Sequence, residues 1–98
     1  MSIAVLDDAT LILGNPDVLF GDVDGEIVAL NMATGGYLHL NSSGTFIFNQ
    51  LQDRGEKPLA AIIERVLEEY AVDETLCRQE VSAFVARCIE LDLLRSPL

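Results

Sequence analysis

Asp24 to Gly44, DGEIVALNMATGGYLHLNSSG, is the stretch from which the fold is read. Asp24-Gly25 is a hairpin signal, because glycine supplies the positive φ that a tight two-residue turn needs. Glu26 to Leu30 reads as a strand of aliphatic and β-branched residues. Thr34-Gly35-Gly36 turns the chain again, and Tyr37 to Leu40 returns as a second short strand. Asn41, Ser42 and Ser43 each offer a side-chain oxygen to an orphan N–H of the helix that follows. Upstream, Val18 to Val23 pairs through the Asp24-Gly25 turn, which completes a three-stranded antiparallel meander. A side-chain period of two puts Leu38 and Leu40 on one face and Tyr37 and His39 on the other.

Three helices follow. The first runs from about Ser43 to Gln52 and ends at Asp53-Arg54-Gly55, with Gly55 serving a left-handed exit. Pro58 suits a first helical turn. Leu59, Ile62, Ile63, Val66, Leu67 and Tyr70 then trace an amphipathic face, and Ala71 to Glu74 is a connector. The third helix covers Thr75 to Leu91, with Cys77, Val81, Phe84, Val85 and Cys88 on its apolar stripe. At 100° per residue, Ser82, Val85 and Ile89 form a shoulder beside that stripe. Leu93 and Leu94 fold back as an apolar plug. The class is α+β: a three-stranded antiparallel sheet followed by three helices.

The chain's 98 residues make one domain, residues 17–98. Residues 1–16 precede it as an N-terminal arm or extra strand, in which Thr10 to Leu13 has strand character and Asn15-Pro16 is a break. Such an arm can exchange with a neighbour, which leaves room for a homodimer. Apolar runs are short and interrupted, so no transmembrane span fits. The first ten residues hold Asp7 and Asp8 and no cation, which argues against a secretory signal and for a cytoplasmic protein.

The formal net charge is −10, and no Lys or Arg occurs before Arg54. Affinity for nucleic acid comes largely from cations displacing counterions along phosphates. A winged-helix DNA-binding domain is the alternative reading. It is disfavoured because the strands precede the helices and because Arg78 and Arg87 lie on opposite faces of the third helix. Catalysis also lacks a constellation. Asn41-Ser42-Ser43-Gly44 is no nucleophile elbow, and no phosphate loop or dinucleotide fingerprint occurs. Cys77 and Cys88, eleven residues apart on one helix, sit about 16 Å from each other, beyond disulfide reach. With His39 as the single histidine, no metal-ligand spacing exists, so no metal or other cofactor is expected.

Peptide binding remains. A three-stranded sheet has edges, and an edge is a row of unpaired N–H and C=O groups to which an extended peptide can add as another strand. If Tyr37–Leu40 is an edge beside the third helix, the two frame a groove with the Ser82, Val85 and Ile89 shoulder as its floor. Alternatively the shoulder packs on the sheet and no groove exists. The residue pattern alone leaves both open.

DGEIVALN, TGGYLHLN and SSGTFIFNQL, then Gly55, Leu67 with Tyr70, and EVSAFVARCIELDLL resemble the PqqD-like family in their order and spacing. The likeness spans about Asp24 to Leu94. Members of this family are peptide-recognition elements in pathways that modify ribosomally made peptides. The resemblance implies a winged-helix-like fold and a non-catalytic adaptor. The leader of a precursor peptide adds beside the third strand and lies against the third helix. A separate processing enzyme, such as a leader peptidase or a radical SAM enzyme, receives the precursor. The compact TGGYLHLN form is similar to stand-alone lasso-peptide members. By position the resemblance puts the site on Gly36, Tyr37, Leu38, His39 and Leu40 of the strand. On the helix it implies outward residues, for which the shoulder offers Ser82, Val85, Ala86 and Ile89, with Arg78 and Arg87 available to pair leader carboxylates. Val85→Asp or Ile89→Asp should then weaken leader binding several-fold while the fold persists. The sequence departs from the family pattern at Phe48, where Trp is common, at Asn31, where Asp is frequent, and at Asp92, where Gly precedes the closing Leu-Leu. If position 92 needs positive φ, Asp tolerates it less well than Gly.

Overall fold

A computed structural model describes residues 6–24, 26–51 and 55–96 of the chain. The meander is present as β2 (Val18–Val23), β3 (Glu26–Asn31) and β4 (Tyr37–Leu40). Its order is β2-β3-β4, all antiparallel, with Leu19 opposite Leu30 and Leu30 opposite Tyr37. Asp24 takes a left-handed φ of 54° in the two-residue turn, whose other member, Gly25, lies outside the described residues. At the second turn the Asn31 side-chain oxygen accepts from the backbone N–H groups of Ala33 and Thr34, and Gly35 follows at φ 80°. An Asx-type bond closes this turn and a left-handed glycine reverses the chain.

The helices are α1 (Ser42–Asn49), α2 (Leu59–Glu69) and α3 (Glu74–Glu90). Of the three candidate caps for α1, Asn41 serves, accepting from the Gly44 N–H at 2.8 Å. Asp73 caps α3 through the Leu76 N–H, so Glu74 belongs to the helix and not to the connector. Pro58 sits one place before α2, extended, as its N-cap residue. Asp53 and Arg54 lie outside the described residues, and with them the left-handed exit expected at Gly55. A Cβ there would lie 2.4 Å from the Leu51 Cα, so glycine is needed for the close approach of two backbones.

A second sheet was not foreseen. β1 (Leu11–Gly14) is its centre, flanked by β5 (Glu56–Pro58) and β6 (Leu94–Arg95), in the order β5-β1-β6. Residues 1–5 of the segment read as an arm or extra strand lie outside the described residues. Its remainder carries β1, whose Ile12 is fully enclosed. Leu93 and Leu94 form the expected plug, both buried.

The core lies between the inner face of the meander, the helices and the second sheet. Phe48 is its hinge-pin: its ring meets Phe20 edge-on at 5.3 Å and Phe84 at 6.0 Å, joining sheet, α1 and α3. Edge-to-face pairs of this kind add about 0.5–1.5 kcal/mol each beyond the area buried. Cys77 and Cys88 are free and buried, as read from their spacing.

Asn31 and Asp92, two of the departures from the family pattern, meet in the structure. Asp92 has φ 56°, the left-handed geometry in which Asp is less at ease than Gly. Its backbone oxygen accepts from the side-chain amides of Asn15 and Asn31, both at 2.7 Å. Asn31 is fully buried and makes three strong bonds, one of them to a separate element. Asn31→Ala leaves two turn N–H groups and a share of one carbonyl without partners, at about 1 kcal/mol or more apiece. The expected result is a fall in the thermal unfolding midpoint of roughly 10 °C or more, read by circular dichroism.

Candidate peptide-binding groove

β4 is an edge strand: β3 lies on one side of it, and no described strand lies on the other. The Asn31 N–H donates to the Gly36 oxygen at 2.8 Å, so Asn31 and Gly36 form a hydrogen-bonded pair. Antiparallel pairs alternate, so Leu38 and Leu40 also spend their backbone groups on β3. Tyr37 and His39 therefore direct their N–H and C=O outward. Their side chains share the outer face of the sheet, with ring centroids 6.1 Å apart, while Leu38 and Leu40 turn inward. The expected alternation along this strand is present.

An open groove of about 1030 Å³ runs along that edge. Leu38, His39 and Leu40 form its strand wall, Ile27 and Thr45 contribute deeper surface, and Ala83, Phe84 and Arg87 form its helix wall. Contacts fix how α3 lies: a Cβ on Gly36 would be 3.2 Å from the Leu91 oxygen, and one on Gly44 would be 3.1 Å from the Phe84 ring. The helix thus runs alongside β4 in the opposite sense. A neighbouring cavity of about 600 Å³ shares Asn41, Ser42, Ala83 and Phe84 with the groove and continues toward Tyr70 and Val72.

Of the residues assigned to the site, Leu38, His39, Leu40 and Arg87 line the groove. Tyr37 does not line it and keeps an exposed side chain on the outer sheet face, and Gly36 lies just before the strand, against Leu91. Val85 is a correction. It is fully enclosed and belongs to the core. An apolar helical stripe has two shoulders, and the structure turns the one carrying Phe84, Arg87 and Leu91 toward β4. Arg78, Ser82, Ala86 and Ile89 occupy the opposite shoulder, which follows from 100° per residue. Arg78 accordingly reaches the N-terminal segment, donating to Asp8 at 2.8 Å, and also bonds Glu74. Ile89 packs against the core. Ala83 and Phe84 were missed as groove residues; the signal for them was the spacing of Phe84, Arg87 and Leu91, a helical face ending at the Gly36 turn.

Charge at the groove is sparse. Glu26 and His39 form an exposed cross-strand pair at 3.2 Å on the outer lip. Arg87 stands on the helix side. Burial raises the thiol pKa of both cysteines, with Glu80 adding to the effect at Cys77, and brings Cys88 to about 12. Both are held as thiols, poor nucleophiles at neutral pH. Among the described residues no group of three His, Cys, Asp or Glu is placed to hold a metal ion, and no helix is long and apolar enough to cross a membrane. What the arrangement can do chemically is accept an extended chain: two outward backbone pairs, with an apolar trough beneath them.

Comparison with known proteins agrees with that geometry. The family model described as "Coenzyme PQQ synthesis protein D (PqqD)" matches residues 26–94. A solved structure described as "TbiB1 in Complex with the TbiA(beta) Leader Peptide" is 26% identical, with a TM-score of 0.70, over 85% of this chain and 94% of that one. Another, "Lasso peptide synthetase B1 complexed with the leader peptide", is 24% identical, with a TM-score of 0.67, over 86% of this chain and 96% of that one. No match was found among curated proteins.

Proposed function

We propose that this chain, which belongs to the PqqD family, is a non-catalytic adaptor that captures the leader of a ribosomally made precursor peptide by strand addition. The carrying observation is the open margin of β4, where Tyr37 and His39 leave their backbone groups unspent beside the groove. Main-chain bonds along such a margin give affinity, and the trough selects alternate side chains. The likeness to TbiB1, solved with a leader peptide, supports the same reading, and the compact TGGYLHLN form favours the lasso-peptide type as the subclass. Residues 17–98 form the peptide-binding domain in this reading, with β1 of the preceding segment packed into its second sheet.

A processing enzyme, such as a leader peptidase, is the second partner. The sheet face turned away from the core supports it. Leu19, Leu30 and Tyr37 form one cross-strand row on that face, 54%, 37% and 59% exposed, with Val23 nearby at 55%. Apolar rows of this extent on a small domain mark contact surfaces. Tyr37 belongs both to this row and to the strand that receives the leader, so an enzyme seated there would meet the guest strand.

The test is calorimetric titration of the full chain with the leader of its precursor, using the TbiA(beta) leader as a second probe. Saturable one-to-one binding is expected, together with protection of the Tyr37 and His39 amides from hydrogen exchange. Absence of binding, or binding that leaves those amides exchanging freely, overturns the proposal. A random DNA duplex at low salt should show no saturable binding, as the charge of −10 requires.

A further inference from the structure

The described arginines differ in how their charge is spent. Arg65 donates to Glu68 at 2.8 Å, Arg78 to Asp8 at 2.8 Å and to Glu74 at 3.3 Å, and Arg95 to Asp92 at 3.3 Å. Arg87 differs. Its nearest carboxylate is Glu90 at 3.8 Å, beyond hydrogen-bond distance, in an exposed pair. A chain with 16 acidic residues has carboxylates in excess, yet this guanidinium in the groove wall donates no hydrogen bond to a described residue. It is also the one Lys or Arg among the groove-lining residues.

Its position along the groove is fixed by the contacts of α3. Leu91 lies against Gly36, and Arg87, four residues earlier, is about 6 Å back along the helix axis. Two strand residues cover nearly the same length, which puts Arg87 level with Leu38 at mid-strand. Across the groove, the carboxylate of Glu26 is engaged with His39 on the outer lip. The walls are therefore polarised: cation on the helix side, anion on the sheet side.

We propose that Arg87 is a specificity-determining residue that pairs with a carboxylate of the bound peptide at the position level with Leu38. This deepens the leader-binding reading and rests on it. The guest is then an extended segment with apolar residues for the trough and one Asp or Glu on its helix-facing side. The acidic surface elsewhere favours a guest whose remaining charge is neutral or positive, since the long-range field acts on net charge and the local pair on one residue. A guest strand covering Arg87 would remove it from water and strengthen the pair over its exposed value. A bidentate guanidinium–carboxylate contact also fixes register along a strand whose backbone bonds alone tolerate slippage.

The experiment is a selection from a random mRNA-displayed peptide library against the full-length wild type, Arg87→Glu and Arg87→Gln, each checked for native circular dichroism. Wild type should enrich peptides with Asp or Glu at one fixed distance from the apolar anchors. Arg87→Glu should enrich Lys or Arg at that position, and Arg87→Gln neither. In anisotropy titrations of selected peptides, swapping the acid for Lys should weaken wild-type binding about three- to tenfold and strengthen binding to Arg87→Glu by a similar factor. Enriched peptides with no charge preference, or with the same preference in all three proteins, overturn the role of Arg87 while leaving peptide binding intact. No enrichment with any of the proteins overturns the peptide-binding reading itself, and this role with it.

Discussion

His39→Pro is expected to leave the protein folded and to weaken leader binding by about tenfold or more. The reason lies in which way the backbone groups of β4 point. His39 sits opposite Val28 in a pair whose amides do not bond across the ladder. Its N–H faces the open margin, the place where a sheet tolerates proline. The substitution removes a donor the guest strand would use and sets a ring in its path. His39→Ala keeps the donor and should bind nearly as the wild type does, which separates backbone from side chain. Leu38→Pro is the contrasting control. Its N–H faces Ala29, so the β3–β4 ladder breaks and the domain should unfold. Calorimetric titration with the leader and thermal melts read both quantities. Full-strength binding by folded His39→Pro would sink the strand-addition mechanism.

Val85→Asp is expected to unfold the chain, not to produce a folded protein with an impaired site. The side chain is fully enclosed among the core residues of α3 and its neighbours. A carboxylate there has no partner, and burying it costs about 4 kcal/mol or more. Against a total stability of roughly 5–15 kcal/mol, that removes most or all of the margin. Far-ultraviolet circular dichroism and urea titration decide it. A cooperative transition at the wild-type midpoint would show that α3 is rotated from the orientation described. Ile89→Asp, on the opposite shoulder from the groove, should lower stability without a specific effect on leader affinity.

The contrast at position 85 shows what the sequence held and what it did not. The strand order of the meander, the turn at Thr34-Gly35-Gly36, a cap among Asn41, Ser42 and Ser43 and the buried cysteines followed from local chemistry, because turn residues and caps act within a few positions. The shoulder of α3 did not. A helical wheel locates the apolar stripe but has no left or right until another element takes a side. Here Gly36 and Gly44 do so, by admitting Leu91 and Phe84 against their bare Cα atoms. The second sheet was illegible for a different reason. Its strands have four, three and two residues, and β5 is Glu-Lys-Pro, with no apolar alternation. Such segments become strands only when distant parts of the chain meet, which no window along the sequence records. The positive φ at Asp92 lay between these cases. The departure from glycine raised the question, and the carbonyl held by Asn15 and Asn31 shows what keeps the strained turn in place.

β1 and β6 lie side by side, Leu13 opposite Arg95, on the sheet that contributes nothing to the groove. The first and last strands of the described chain are thus neighbours, and neither lines the groove that receives the guest. A fluorophore or an affinity handle fixed to the outer side of that sheet would be borne by residues that line no part of the groove. The same adjacency makes the domain a cassette that can be spliced into a larger polypeptide, or re-cut to begin at a different loop, with its selectivity carried along.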